Sequence, residues 1–401
     1  MTTPICEAIL LMEVNAEKVI HNLFYFLPSS FNLESDIQYI VLNCLPDTPM
    51  QPPSYFIFSS LNYLCYCYYF QFQENNYVLI ILSKQLLPKL LFEFLHDSSE
   101  YIETQTSLED TLKHLWETIS VYSRNNIFSG GQTYRFPTGK EMYTSDEDST
   151  EYDCYDPFNE FPMTSKIPIL WKALLIGEPV KLLSKNEVDL THALFSLMNI
   201  IHPYKFEGQV LVVLNQHDPR LAHASDYPIT ATLSNISRSA KGSFKHTIFQ
   251  GQCLPGSNLG MKKALLERTM KVRTVHTYLM DREIMVNPYN DIINGIYIND
   301  QLKDEMKNYQ QNGTLSPSEM FKFGSSQTAI IFRRRNTLRE SFRDAVLSVP
   351  PEDFMKRLNK EDFPTIIKFI EEHLNVYEKD QHMLSVLKKH KKLFKRQLKE
   401  L

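Results

Sequence analysis

The chain has 401 residues, of which 43% are hydrophobic, and a formal net charge of −5 at pH 7. This length supports two or three domains, and this apolar content is enough for packed cores. The mild negative charge argues against a general nucleic-acid-binding surface, and no run reaches the roughly 20 apolar residues that a transmembrane helix needs. The six cysteines form no CxxC pair, and the N-terminal sequence lacks the features of a secretory signal, so a cytoplasmic protein with reduced thiols is expected.

Residues 1–125 are predicted to form one α+β lobe. Runs rich in apolar and aromatic residues predict strands at 5–14, 54–59, 61–73 and 77–83. The last two strands are expected to pair as a hairpin through a turn that is longer than the tight types. The spacing of the leucines predicts two helices, one beginning at Gln85 and the other at Ser107. Antiparallel strands followed by packed helices are similar to a longin-type fold.

Residues 126–165 interrupt this pattern. They include Gly130-Gly131 and then the acidic run TSDEDSTEYDCYDPFNE, which has neither helical nor strand periodicity. This composition predicts a solvated linker. The alternatives are a recognition tail and a phosphorylation site.

Residues 166–260 are predicted to form an α/β lobe. Val180 begins a short strand, Asp189 is expected to cap a helix that ends before Pro203, and a continuous apolar run at 209–214 indicates a strand buried on both faces. Two more short strands are predicted at 228–233 and 247–249. Strands that alternate with helices predict a mainly parallel sheet, so the fold class is α/β with an α+β N-terminal part.

Residues 261–401 are predicted to combine the end of an irregular connection, which spans 251–299, with a helical portion. In this portion Leu338, Phe342, Ala345 and Val346 recur on one face of a predicted helix. Another helix is expected to begin at Asp362, since Pro364 falls early enough in it to be tolerated. A basic amphipathic helix, LKKHKKLFKRQLKEL, ends the chain.

Two basic clusters are candidates for contact with an anionic membrane surface, a phosphate or an acidic partner. Arg335, Arg339 and Arg343 recur at helical spacing and form one cationic stripe, and Lys391 and Lys395 belong to the last helix. Because the apolar positions of that helix are sparse, a membrane contact through it is expected to be reversible. The alternative for both clusters is a solvated helix face paired with nearby acidic residues.

The sequence contains no motif for a nucleotide phosphate, a dinucleotide, a zinc site or a hydrolase nucleophile, since GxxxxGK[ST], GxGxxG, HExxH and GxSxG are all absent. We therefore expect no cofactor, no bound metal and no small-molecule substrate. His217-Asp218, at the end of a predicted strand, is the nearest approach to an acid–base pair. Adjacent residues of an extended segment point to opposite faces, so a turn-capping Asp218 and a surface His217 are expected instead. A hydrolase or a transferase is accordingly disfavoured.

The block Leu170–Asp218 resembles the central segment of the DENN domain, the module of Rab guanine-nucleotide exchange factors. The similarity lies in LWKALLIGEPVKLLS, ALFSLMNIIHPYKFEG and QVLVVLNQHDPRL, followed by YPITATLSNISRSAKGSFKHTIFQGQC. Upstream, YLCYCYYFQFQENNYVLIILSKQLLPKLLFEFLHDSSEYIE is similar to the N-terminal DENN portion, and TAIIFRRRNTLRESFRDAVLSV resembles a helix of the C-terminal portion. The resemblance is to the compact subfamily, and it implies a longin-like N-terminal lobe, a central α/β lobe and a helical C-terminal portion.

What this resemblance implies is an exchange factor that promotes GDP release from a Rab-type small GTPase in membrane traffic. Such a domain grips the switch regions of the GTPase between its two lobes and needs no covalent chemistry. The implied location is cytoplasmic, with peripheral recruitment to endosomal or other vesicle membranes. The alternative is a non-catalytic DENN-like adaptor or scaffold that binds small GTPases or their regulators.

The resemblance also implies which residues face the GTPase. They lie in two loops that follow predicted strands, and the aromatic residues of the N-terminal strands, such as Tyr66 and Tyr68, are further candidates. The implied contacts are Asn215, His217, Asp218, Asn235, Ser237 and Arg238.

Overall fold

The chain divides into two compact units. The N-terminal unit comprises Thr2–Asn125 and Ser129–Leu265, and the C-terminal unit comprises Leu266–Leu401. The structure is a computed structural model. It describes residues 2–14, 20–26, 31–46, 50–125, 132–144, 155–157, 161, 166–250, 261–273, 288–289, 315–324, 326, 328–329, 332, 341–348, 350–351, 358, 360–377 and 380–399.

The first sheet of the N-terminal unit is antiparallel, as predicted. Its strands are β2 (Ala8–Val14), β3 (Ile20–Phe26), β4 (Ser54–Ser59), β5 (Leu64–Phe72) and β6 (Asn75–Ser83). They lie in the order β3-β2-β6-β5-β4, and a separate pair joins β1 (Thr2–Pro4) to β7 (Ser123–Asn125). The inner strands β5 and β6 are buried over most of their length, which explains their nearly continuous apolar and aromatic sequence.

The turn between β5 and β6 is tighter than the sequence predicted. Phe72 pairs with Asn75, so only Gln73 and Glu74 lie outside the ladder. Gln73 has a φ of 57°, the positive value that two-residue hairpin turns require at their first central position. The prediction of a longer turn is wrong because Asn75 and Asn76, which favour turns in general, here extend the strand.

Three helices accompany this sheet. They are α1 (Ile37–Asn43), α2 (Pro88–Glu103) and α3 (Leu108–Ile119). Helix α2 contacts β5, and α3 contacts β2 and β3. The predicted start of α3 at Ser107 is confirmed, since the Ser107 hydroxyl accepts a hydrogen bond from the backbone N–H of Asp110 at 3.3 Å.

The predicted linker contains regular structure. Strands β8 (Gln132–Arg135) and β9 (Glu141–Thr144) form an antiparallel hairpin. Tyr134 and Phe136 are buried, and the N–H and hydroxyl of Thr138 both donate to the Asp97 carboxylate of α2. The hairpin is therefore packed on its unit. Most of the acidic run that follows lies outside the described residues.

The second sheet of the N-terminal unit is entirely parallel, which confirms the α/β class. Its strands are β10 (Val180–Ser184), β11 (Val210–Val213), β12 (Ile229–Leu233) and β13 (His246–Phe249), in the order β11-β12-β10-β13. Helix α4 (Ile167–Ile176) precedes β10, and α5 (Glu187–Asn199) follows it. The cap of α5 is Asn186, whose side chain accepts from the N–H of Asp189 at 2.8 Å, so the prediction of Asp189 as the cap is corrected.

Residues 175–179, of sequence LIGEP, end α4 and hold the start of the parallel sheet; we call them the LIGEP block. Gly177 has a φ of 73°, and its N–H and that of Glu178 both donate to the Ala173 carbonyl. The Glu178 carboxylate then pairs with Lys245 and, at 3.4 Å, with His246. Burial alone would raise the pKa of Glu178, but these two partners hold that pKa below its usual value. The block thus joins the start of β10 to the start of its neighbour β13.

The C-terminal unit is helical in its described residues. It contains α7 (Pro317–Gly324), α8 (Ser341–Ser348), α9 (Phe363–His373) and α10 (Gln381–Lys399). Residues 261–273, where an irregular connection was predicted, form helix α6. The start of α9 at Asp362, with Pro364 in the first turn, is confirmed. No helix within the described ranges is both long enough and apolar enough to cross a bilayer.

The first prediction concerns Gly177, where an added Cβ would meet nothing within 4 Å. Replacement by alanine should lower the free energy of unfolding by about 1 kcal/mol, because only the left-handed backbone conformation disfavours it. Gly177→Asn should cost clearly less, since asparagine tolerates this conformation. Urea unfolding followed by circular dichroism measures both. Equal stabilities of the alanine and asparagine variants would contradict the assignment of Gly177 as a left-handed cap.

Candidate functional site

The edge strand β11 of the parallel sheet is joined to the antiparallel sheet by side chains. The Ser59 hydroxyl, at the end of β4, accepts from the N–H of Val212 at 2.9 Å and donates to the carbonyl of Val210 at 3.0 Å. Asn43, at the end of α1, accepts from the N–H of Leu214 at 2.8 Å. Two side chains thus take the place of a neighbouring strand along β11. We call the contact made by Ser59, Asn43, Asp218 and Arg220 the seam.

Asp218 and Arg220 complete the seam. The Asp218 carboxylate accepts from Arg220 Nη2 at 2.6 Å and from Arg220 Nε at 3.0 Å, and it accepts from Asn43 Nδ2 at 2.9 Å. The same guanidinium donates to the backbone carbonyls of Ser59 and Ser60, and it lies 4.4 Å from the ring centroid of Tyr39. Arg220 therefore holds the ends of α1 and β4 against the turn that follows β11.

A second buried carboxylate supports the N-terminal side of the seam. Asp36 accepts from the Ser60 hydroxyl at 2.7 Å and from the N–H and the side-chain amide of Asn62, both at 2.8 Å. Because Ser60 also binds Arg220 through its carbonyl, the loop after β4 is held from two directions. Burial alone would raise the pKa of Asp36, but these hydrogen bonds outweigh it and lower that pKa.

The electrostatics of Asp218 follow the same logic. Burial on its own raises the pKa of this carboxyl, but the hydrogen bonds and the positive charge of Arg220 outweigh burial, and the pKa lies below its usual value. Asp218 is therefore ionised at neutral pH. A buried charge of this kind is tolerated because it is paired and hydrogen-bonded on both oxygens.

The structure separates the two members of the His217-Asp218 pair. The Asp218 side chain is 0% exposed, and its carboxylate also caps the 3-10 helix Pro219–Asp226 by accepting from the N–H of Arg220. His217 is exposed, and its N–H donates to the Asn215 side chain at 2.9 Å. The contact implied for Asp218 is thus corrected to an internal role that positions the turn, whereas His217 remains at the surface.

The other implied contacts lie in the loop after β12. Asn235 and Arg238 are exposed, and Ser237 is half-buried. Lys181 of β10 holds this loop by donating to the carbonyls of Ser237 and, at 3.2 Å, of Ala240. Since β11 and β12 are parallel neighbours, their carboxyl ends meet at one edge of the sheet. The structure therefore brings the Asn215–His217 turn and Asn235 to that edge.

Two exposed apolar residues beside the seam were not predicted as site residues. Val41 of α1 is 42% exposed and lies two positions before Asn43, and Leu61 is 51% exposed and follows Ser60 directly. Tyr66 and Tyr68, which were candidates, are instead buried between α2 and the neighbouring strands. The alternation of side chains between the two faces of β5 does not predict which of them are exposed, because the strand is covered on both faces.

The basic candidates fall into two classes. Arg343 pairs with Asp380 at 2.7 Å and with Asp344 at 3.4 Å, and both Lys391 and Lys395 pair with Glu371. For these three residues the structure shows the alternative that we stated, a helix face paired with nearby acidic residues. Arg335 and Arg339 lie outside the described residues.

The described residues provide no metal-binding cluster of three or more histidine, cysteine or acidic side chains. The four cysteines with described positions are buried free thiols, and they are Cys6, Cys44, Cys65 and Cys67. Burial raises the pKa of Cys44 to about 12, so its thiolate, the reactive form, is scarce at neutral pH.

No protein-family model matches the chain, and a search of curated proteins returns no match. Membership of the DENN family accordingly stays a prediction from the sequence.

The second prediction tests the ion pair of the seam. Asp218→Asn should lower the free energy of unfolding at pH 7 by about 3 kcal/mol, because it leaves the Arg220 charge buried without its partner. The folded-state pKa of Asp218 is lowered, so its contribution is full above the unfolded value of about 3.9 and is lost as pH falls through the folded value. Urea unfolding at several pH values should show the two proteins converging in acid.

The matched control is Asp226→Asn, at the other end of the same 3-10 helix, where the carboxylate is 71% exposed. Its effect should stay within about 0.5 kcal/mol at every pH. A stability loss in Asp218→Asn that does not change between neutral and acidic pH would contradict the ionised pair.

Proposed function

We propose that this protein is a guanine-nucleotide exchange factor that promotes GDP release from a Rab-type small GTPase in membrane traffic. The observation that carries the proposal is the seam, because it makes one compact unit of the two sheets and sets surface residues of both beside each other. An exchange factor that grips a GTPase with two lobes needs them in a fixed relation, since a loose joint would spend binding free energy on ordering them. The DENN resemblance in the sequence supports the same reading.

We propose that exposed residues around the seam form a composite protein-binding surface. Its apolar residues, Val41 and Leu61, come from the antiparallel lobe, and its polar residues come from the loops after β11 and β12. Apolar anchors with a polar rim are usual at protein interfaces. We assign His217, Asn235 and Arg238 to direct contact, and Asp218 to positioning the first of these loops.

The proposed mechanism is differential binding. The surface binds the nucleotide-free GTPase more tightly than the GDP-bound form, so that complex formation weakens GDP binding by the same factor. GTP, which is abundant, then binds and releases the exchange factor. Nothing in this cycle requires a nucleophile or a general base on the chain, and the buried carboxylates of Asp36 and Asp218 are both engaged internally.

The third prediction is made for release of fluorescent GDP from a panel of purified Rab proteins. The chain should accelerate release from one or a few of them. Arg238→Glu should reduce this acceleration at least about tenfold, because it reverses an exposed charge at the proposed interface. Arg135→Glu makes the same charge change at an exposed position of β8 and should leave the rate within about twofold.

The fourth prediction concerns the apolar part of the surface. Leu61→Ser should also slow GDP release about tenfold, and it should leave the free energy of unfolding within about 0.5 kcal/mol because the side chain is half exposed. Binding to a Rab protein without preference for its nucleotide state would contradict exchange and favour the adaptor. No binding to any Rab protein by the folded chain would contradict exchange, and it would leave an adaptor that binds other small GTPases or their regulators.

A further inference from the structure

The last helix, α10, uses its apolar face inside the C-terminal unit. Met383, Leu387, His390 and Phe394 are buried in a core that includes Phe342, Phe363 and Ile370. The imidazole of His390 lies 2.7 Å from the Tyr289 hydroxyl. The apolar face of this amphipathic helix is therefore occupied by the core of its own unit.

The opposite face of α10 is cationic along its C-terminal half. Between Gln381 and Lys399 the helix carries seven lysine and arginine residues and no acidic residue. Five lysines of this helix are exposed, and Lys389 lies to one side of the other four. At about 100° per residue those four span about 60° of arc, and at 1.5 Å per residue they extend over about 16 Å. They are Lys388, Lys392, Lys395 and Lys399.

The acidic residues of the neighbouring helix α9 form ion pairs with only some of the lysines of α10. On α9, Glu371 accepts from Lys391 at 2.9 Å and from Lys395 at 2.8 Å. Glu372 lies 4.0 Å from Lys368 of its own helix. Within the described part of the chain, Lys388, Lys392 and Lys399 make no ion pair. Three lysine charges on this face of α10 are therefore available to a partner.

We propose that this lysine face binds the surface of an anionic lipid bilayer by electrostatic attraction, without insertion of the helix. These charges lie in one row along a single helix face, and a bilayer with anionic headgroups presents diffuse negative charge along the whole row. Each lysine near such a surface strengthens binding about fivefold. Because the apolar face is occupied by the core, the attachment is reversible and sensitive to salt. This inference is independent of the exchange activity.

The test is sedimentation of the full chain with phosphatidylcholine vesicles that contain or lack about 30% phosphatidylserine. The wild-type chain should bind only the phosphatidylserine vesicles and should be released when salt is raised from about 0.1 M to about 0.5 M. Lys388→Gln/Lys392→Gln should weaken binding about 25-fold. The matched variant Lys185→Gln/Lys241→Gln, at two exposed lysines of the N-terminal unit, should change it less than about twofold.

Glutamine preserves helix propensity, and thermal unfolding of both variants checks that they fold. Equal binding to neutral and anionic vesicles, or equal loss in the two double variants, would overturn the proposal. Binding that survives high salt would show insertion instead of adsorption. Retention on polyglutamate beads without vesicle binding would overturn it in favour of an acidic protein partner.

Discussion

Edge strand β11 depends on hydrogen bonds from outside its own sheet. The edge of a sheet leaves a row of backbone N–H and carbonyl groups without partners, and leaving such groups unpaired in the interior costs about 1–3 kcal/mol each. Here the carbonyl of Val210 and the N–H groups of Val212 and Leu214 form hydrogen bonds with the side chains of Ser59 and Asn43. These two side chains satisfy the edge of β11 where it packs against β4.

The ion pair of Asp218 and Arg220 extends this constraint from the strand to the loops. Arg220 reaches the carbonyls of Ser59 and Ser60, while Asp218 binds Asn43 and caps the next 3-10 helix. A buried pair is not by itself strong evidence of stability, since apolar residues of the same shape often do as well. Its value here is geometric, because it fixes which residues of each sheet come to the surface side by side. The proposed GTPase surface is a consequence of that arrangement.

Much of the fold could be predicted because it follows from local patterns. Continuous apolar runs located β6 and β11, and Ser107 and Asp362 marked the starts of α3 and α9. The hairpin of β8 and β9 was missed because its strands are only four residues long and lie among glycines and acidic residues. A short strand is stabilised by what it packs on, and packing partners are distant in sequence.

The candidate site was harder to predict than the fold, for the same reason. His217 and Asn235 were placed correctly at the surface, since both follow the ends of parallel strands. The turn-capping role expected for Asp218 from its position after a strand is confirmed. The surface contact implied by the resemblance is not, because its partners Asn43 and Arg220 hold it inside, and the link to Asn43 spans 175 residues. The exposure of Leu61 is likewise set by tertiary structure. The apolar residues of α10 have the spacing of a membrane-binding helix, and only the core of the C-terminal unit shows where they pack.

Amide hydrogen exchange at Val212 and Leu214 tests the seam most directly. If Ser59 and Asn43 hold the two sheets as one cooperative unit, both amides should exchange only as rarely as those in the centre of β6. Asn43→Ala, which removes the acceptor for the Leu214 amide, should then increase exchange at Leu214 by one to two orders of magnitude, on the order of 1–3 kcal/mol. Rapid exchange at both amides in the wild-type chain, with β6 still protected, would contradict the account, because the parallel sheet would then open independently of the antiparallel one.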